Sequence, residues 1–323
     1  MSYLRVKGFD SVFHTTLSNE LQDNIIEFFD WALLQKGNYM NVTIGELSTD
    51  NMDYSRLRIS SNPVYPSGKA WEGFRSNWVW QTGVSYNPQP ISVNNNGTPG
   101  ISGVYVNNTF YPSTTTGPYS HKVDYLNGRI IFDSPIATGS IVRAEYSYKY
   151  INMIYSNSLP WLAEAQYSSL DLDSDFNTIN KGKFDLPAES RLQLPAIAVE
   201  IVPRRKFRGY QLGGGQLVET DVLFHCLAED EYTRNKLIDI VSLQNDKTIY
   251  LFDSNEIAKS GLFPLDYNGF PVSGALIYPN LVENFYRGNV RLKNSSVQDM
   301  RLINSNFYAG IVRLSLETIE TTI

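Results

Sequence analysis

The sequence predicts an α+β protein, with a sheet flanked by two helices and a large antiparallel β-rich insert, sandwich or barrel-like in form. Three observations carry this. Leu17 to Lys36 and Ala228 to Gln244 place apolar residues at helical spacing. Ala196 to Val202 is almost continuously apolar, and Leu217 to Cys226 alternates with a period of two, as strands do. Between the first helix and these strands, residues 41–160 break into short aromatic or apolar runs separated by Gly, Pro, Asn, Ser and Thr clusters, the pattern of antiparallel strands and turns.

In the first helix Leu21, Ile25, Phe28, Phe29, Ala32 and Leu33 form one face, which needs a sheet to cover. Ser18 is the expected N-cap, Glu20 favours the positive end of the dipole, and Gly37 closes the helix in a left-handed conformation. In the insert the sharpest strand pair is Gly128–Asp133 and Ile141–Tyr148, joined by Ser134–Gly139. Val142, Ala144, Tyr146 and Tyr148 share one face of the second strand. Trp161–Gln166 reads as a helical turn, and Ser168–Arg191 as an exposed acidic connection.

After strand 196–202, the glycines of Gln211–Gln216 form a corner, and the next strand puts Val218, Thr220, Val222, Phe224 and Cys226 on one face. Glu229, Asp230 and Glu231 occupy the first turn of the helix expected from Ala228. Lys247–Phe252, Gly288–Lys293 and Ala309–Thr318 are further strands, and Gly261–Pro279 reads as an extended arm or loop. Residues 1–40 and 191–323 thus make a discontinuous α+β base domain, residues 41–160 the inserted domain, and 161–190 a linker.

Composition limits the function. The chain has 323 residues, of which 42% are hydrophobic, enough to pack one large or two modest cores. A formal net charge of −6 argues against non-specific nucleic-acid binding, which needs a positive field. The single cysteine excludes an internal disulfide and a cysteine-cluster metal site. No stretch reaches the ~18 apolar residues of a membrane span and none near Met1 resembles a signal peptide, so a soluble protein made in the cytoplasm is expected, without membrane contact.

The base resembles the tail-terminator, or tail-completion, proteins of tailed bacteriophages. The residues that carry this are Leu194-Pro195-Ala196 and the strand to Glu200, Leu212-Gly213-Gly214-Gly215, the helix from Ala228, and the strand Ile311–Glu317. In the insert, Asp124 to Pro135, through Gly139, and Ala144-Glu145-Tyr146 resemble a strand–turn–strand signature of phage tail and neck proteins. The resemblance implies a tail-terminator-like sheet and a homo-oligomeric ring, commonly six-fold. The ring would sit at the head-proximal end of the tail, with tail tube, sheath and head connector or neck proteins as partners and DNA passing through it. It implies a virion location, a structural role without enzymatic activity, and no cofactor. Another neck, collar or baseplate role, or a carbohydrate-binding host-recognition module, are the alternatives.

No residue set reads as a catalytic or metal centre. Leu212–Gln216 lacks the Gly-Lys-Ser/Thr ending of a phosphate loop, so Gly213, Gly214 and Gly215 read as a corner or a close backbone approach to a neighbouring subunit. Asp171, Asp173 and Asp175 alternate as in a calcium loop, but Phe176 and Gly182 stand where that loop needs Gly and an acid. His225 and Cys226 are neighbours on a strand and point to opposite faces, so they do not form a nucleophile pair. Arg204, Arg205, Lys206 and Arg208 form the densest basic patch, either a solvated turn or an intersubunit or channel surface. Trp71, Trp78 and Trp80, with Phe74, either fill the insert's core or an interface, or stack on sugars.

Overall fold

The computed structural model describes residues 15–47, 52–91, 101–156, 193–211, 214–262, 265–266, 268–272, 274, 276–304 and 307–320. The fold is mixed α+β. The main element is a seven-stranded sheet in the order β10 (Asn152–Tyr155), β11 (Ala196–Ile201), β13 (Gly214–Ala228), β16 (Phe307–Glu320), β15 (Tyr286–Asn304), β14 (Thr248–Phe252), with β12 (Lys206–Gln211) beside the first half of β13. All its pairs are antiparallel except β10 with β11. β10 comes from the stretch that the sequence placed in the insert, yet it forms an edge of the large sheet.

Helices α1 (Leu17–Leu34) and α2 (Glu231–Ser242) share one hydrophobic core with one face of this sheet. Leu21, Ile25 and Phe29 of α1 and Leu237 and Val241 of α2 meet Val222, Phe224 and Cys226 of β13 and Val312 and Leu314 of β16. Of the two faces that alternation separates, the one with Val218, Thr220, Val222, Phe224 and Cys226 is the buried one. Two shorter helices, α3 (Ser254–Ser260) and α4 (Tyr278–Asn284), follow β14.

Helix ends depart from expectation in instructive ways. The N-cap of α1 is Thr16, not Ser18, and it makes no side-chain cap bond. Glu20 lies in the first turn as expected, and there it is buried, pairs with Arg287 and accepts from the Ser254 N–H at 3.3 Å. The C-terminus behaves as predicted. The Asn38 N–H donates to Leu33 and the Gly37 N–H to Leu34, with Gly37 at φ +81°, the left-handed closure that glycine adopts without strain. Helix α2 starts three residues later than Ala228, because Ala228 still pairs with Tyr308 and Asp230 is the cap, accepting from Thr233 at 2.8 Å. These Thr233 bonds also hold the Asp230 carboxyl below its ordinary pKa.

The remaining strands make three small antiparallel sheets around a second core. They are β2 (Arg58–Ile59), β3 (Ala70–Glu72), β7 (Arg129–Phe132) and β6 (His121–Asp124); β5 (Thr109–Pro112), β4 (Gly103–Val106) and β8 (Val142–Ala144); and β1 (Tyr39–Val42) with β9 (Tyr146–Lys149). The insert is therefore β-rich and antiparallel, but the expected hairpin is not formed. β7 pairs with β3 and β6, whereas β8 pairs with β4 in another sheet, and the chain changes sheets again at Glu145. The turn carrying Asn127 and Gly128 instead joins β6 to β7, and Asp124 accepts from Asn127 N–H and Nδ2 at 3.0 and 2.8 Å.

Base and insert are stitched by polar groups. Lys149 of β9 pairs with Asp30 of α1 at 2.7 Å, and Gln81 donates to the same carboxylate at 2.9 Å. Asn38 bonds both backbone groups of Ile151, at 2.8 and 2.7 Å. The described part of Gly261–Pro279 is a further stitch between them. Leu265 and Ile277 pack on the insert's core, and the Tyr125 N–H donates to Gly269 at 3.0 Å.

Candidate functional site

The basic patch lies where β11 hands over to β12. Buried Thr220 of β13 donates to Val202 at 2.9 Å and reaches the Arg204 carbonyl at 3.3 Å, and the Val202 N–H bonds Asp221, which pins the corner. From that corner β12 runs along β13 and, among the described residues, pairs with nothing else. Lys206 and Arg208 alternate with Phe207, and each side chain from Lys206 to Tyr210 is exposed, Phe207 to 55% and Tyr210 to 50%. Gly214 pairs with Gln211 at the hairpin's tip and Gly215 has φ +85°; Gly213 lies outside the described residues.

Lys206 and Arg208 belong to a charged ladder on the sheet face away from the helices. Register places Lys206 opposite Glu219, Glu219 opposite Glu317, and Glu317 opposite Arg291. The two carboxylates facing each other would repel, and diagonal cations relieve this: Arg208 reaches Glu219 at 3.3 Å and Lys293 pairs with Glu317. One strand position further on, Arg313 and Ser315 both bond Asp221, at 2.5 and 2.9 Å. Between them lies a groove of about 330 Å³ lined by Arg204, Lys206, Glu219, Asp221, Lys293 and Glu317 among others. Its carboxylates offset most of the positive charge, so the groove is not the free basic surface that the four clustered cations suggested. Arg204 and Lys206, at the open edge, have no ion-pair partner among the described residues. Arg205 is half-buried, set apart from its three exposed neighbours.

The sheet's other edge is closed. The Asn24 side chain of α1, fully buried, accepts from the Phe252 N–H at 2.8 Å and donates to its carbonyl at 3.0 Å, as a neighbouring strand would. The Tyr278 hydroxyl of α4 caps the Tyr250 carbonyl at 3.0 Å. β14 thus presents side chains where an edge strand normally presents bare backbone.

The tryptophans are not a surface. Trp71, Trp78 and Trp80 are 3%, 0% and 6% exposed and fill the insert's core. Burial is tolerated because the indole N–H groups of Trp71 and Trp78 reach the Gly68 and Arg75 carbonyls at 3.0 and 2.8 Å. Trp78 also stacks on Tyr146 at 4.2 Å between ring centroids. Beside this core a cavity of about 530 Å³ is lined by Asp53, Tyr54, Arg56, Arg58 and Phe74. Burial alone would raise the Asp53 carboxyl, but bonds from Ser55 and Arg143 outweigh it and hold the group below its ordinary value. Tyr54 and Phe74 stack on each other at 3.8 Å, so each ring spends one face on the other.

His225 and Cys226 take opposite faces as expected. His225 bonds Glu200 at 2.8 Å, while Cys226 is enclosed in the helix-side core and burial pushes its thiol up to about 12. Asp171, Asp173, Asp175 and the expected turn Trp161–Gln166 lie outside the described residues. Sequence reasoning missed the acidic face of α1. Burial, then the neighbouring Asp30 and Asp23 carboxylates, push Glu27 up to about 7, against the opposing pull of Lys149. The spacing of Asp23, Glu27 and Asp30 was the available signal; that Lys149 and Tyr155 approach them was not. Among the described residues no helix is long and apolar enough to cross a membrane, and no group of three or more His, Cys, Asp or Glu is arranged to hold a metal ion. The chain matches no protein-family model and none of the curated proteins compared with it.

Proposed function

We propose that the chain is a structural virion protein of a tailed phage, a tail-terminator-like subunit. It works by assembly: copies form a ring, six-fold by the resemblance, at the head-proximal end of the tail. The β-rich insert reaches outward to collar, sheath or connector proteins. The observation that carries this reading is the contrast between two of the sheet's edge strands, β14 and β12. Side chains of α1 and α4 close β14, whereas β12 stands exposed with aromatic and cationic side chains. An edge strand that no described residue covers, with exposed aromatic side chains beside its cations, is available to add a strand from a neighbouring subunit. The tight stitching of insert to base suits a part that transmits load between neighbours.

The test is light scattering and negative-stain imaging of the purified full chain, followed by addition to isolated tails. Rings that cap the tails support the reading; a chain that stays monomeric and never caps them sinks it. Replacing Arg204, Arg205, Lys206 and Arg208 together by Ser should leave the fold intact and impair joining. Normal infectious assembly of that variant would exclude a joining role for the corner.

The cavity beside Tyr54 and Phe74 favours one second reading, a carbohydrate-binding recognition module. A glycan array separates the two, since the assembly reading predicts no binding.

A further inference from the structure

In the assembly reading the cavity beside the insert's core needs an occupant other than a sugar, and its lining says of what kind. Arg56 and Arg58 stand exposed at the cavity, with buried Leu57 between them turned into the core. Neither guanidinium makes an ion pair with a described residue. Glu72, which register sets opposite Arg58, bonds Ser60 instead. The lining's single acid, Asp53, is engaged by Ser55 and, at 3.0 Å, by Arg143. The cavity is therefore cationic. Tyr54 and Phe74 add an aromatic wall, but Phe74 already stacks on Tyr54 and carries the Arg75 guanidinium 5.4 Å from its centroid, which leaves it little face for a sugar ring. The volume of about 530 Å³ is ample for one aromatic side chain with a flanking carboxylate.

The chain carries the complementary group. Where β13 turns into α2, Glu229, Asp230, Glu231 and Tyr232 are all exposed. Tyr232, at 79%, is the most exposed large hydrophobic side chain among the described residues. Asp230 is spent on capping α2 and Glu231 bonds Arg234 at 3.0 Å, but Glu229 makes no ion pair with a described residue. The turn is short and pinned, since β13 runs to Ala228 and α2 starts at Glu231, so docking it costs little ordering entropy. Within one chain the two surfaces do not meet: none of these four residues lines the cavity, and Tyr232 stays in solvent.

We propose that the Glu229–Tyr232 turn of a second copy docks into this cavity, with Tyr232 against Tyr54 and Phe74 and the Glu229 and Glu231 carboxylates on Arg56 and Arg58. The Tyr232 hydroxyl then has Thr138, Ser140 and Asp53 of the lining to bond. A tyrosine seated in a pocket and ringed by polar contacts has the form of a binding hot spot. The inference rests on the assembly reading and gives it a contact apart from the β12 edge. Because the base of one copy meets the insert of the next, the contact joins two different surfaces and can repeat head to tail until a ring closes.

The test is a charge swap in the full chain, read by light scattering. One variant carries Arg56→Glu/Arg58→Glu and the other Glu229→Lys/Glu231→Lys. All four side chains are exposed, and Arg234 keeps its bonds to Asn235 at 3.1 and 2.8 Å when Glu231 is replaced, so both variants should fold. Each variant alone sets like charges against each other and should associate about tenfold or more weakly than wild type. An equimolar mixture restores opposite charges at every contact between unlike copies and should recover wild-type assembly. Tyr232→Ala should weaken association similarly and should not be rescued by mixing with either swap. Oligomers unchanged in either swap, or variants that weaken but are not rescued by each other, overturn this contact and leave the assembly reading standing. Wild-type protein that is monomeric at all concentrations overturns both.

Discussion

Replacing Asn24 by Leu should remove the device that closes the β14 edge. The two side chains are close in size, so little cavity is created, but the two backbone groups of Phe252 lose the partners that now sit 2.8 and 3.0 Å away. Phe252 is only 2% exposed, so water cannot readily replace them. A buried polar group left unsatisfied costs ~1–3 kcal/mol, and two such groups therefore ~2–6 kcal/mol. Against a typical stability of ~5–15 kcal/mol, the variant should fold but unfold at a clearly lower urea concentration. Asn24→Asp retains an acceptor for the Phe252 N–H but sets a carboxylate against the Phe252 and Glu20 carbonyls, so it should be no milder. Urea titration followed by circular dichroism measures both. Light scattering at rising concentration measures a second consequence, unregulated association through the uncovered edge. If Asn24→Leu lies within ~0.5 kcal/mol of wild type, the strand-capping role of Asn24 is wrong, because that is the effect of an ordinary surface substitution.

Three further outcomes follow from buried groups. Glu27 ionises near 4.5 in the unfolded chain and only near 7 in the folded one, so its contribution to stability falls as pH rises from about 4.5 to 7 and is level above that. Glu27→Gln should match wild type near pH 4 and be more stable at pH 8, by at most ~3 kcal/mol, as urea unfolding at the two pH values would show; equal stability at pH 8 contradicts this. Cys226 should resist thiol reagents at pH 8 until the protein is denatured, because the thiol is enclosed and its ionisation is pushed up to about 12. Trp78→Ala removes a fully buried ring stacked on Tyr146 and should cost ~3–5 kcal/mol; thermal unfolding reads the loss, and a near-native melting temperature would contradict the core placement.

Much of the base was legible because its strands carry their burial in their own period. The alternation from Leu217 to Cys226 separated two faces, one of which α1 and α2 cover. The outer half of β15 was not legible. Its polar residues after Lys293 are held in place by β16, and register shifts at Lys293/Ser296, Val297/Asp299 and Leu302/Asn304 erase any alternation. In the insert, periodicity showed that Ile141–Tyr148 is extended but not which strand it pairs with, so the short link Ser134–Gly139 suggested a hairpin that does not exist. The sequence favoured a core or interface for the tryptophans without deciding between them, because the carbonyls that satisfy the indoles of Trp71 and Trp78, those of Gly68 and Arg75, come within reach only in the folded chain.

The candidate site was half legible for the same reason. Four clustered cations were plain in the sequence, but the carboxylates that moderate them come from β13 and β16, and the pairing of Glu219 with Glu317 spans 98 positions of chain. The contrast between a closed β14 and an open β12 depends on Asn24 and Tyr278, residues whose types suggest no such role until α1 and α4 are packed against the sheet.

The mass of the purified full chain in solution, by light scattering over a range of concentrations with negative-stain images of the same sample, tests the assembly account most directly. A ring of uniform copy number, six by the resemblance, is the result it predicts. A monomer at every concentration, unchanged on addition of isolated tails, would contradict it.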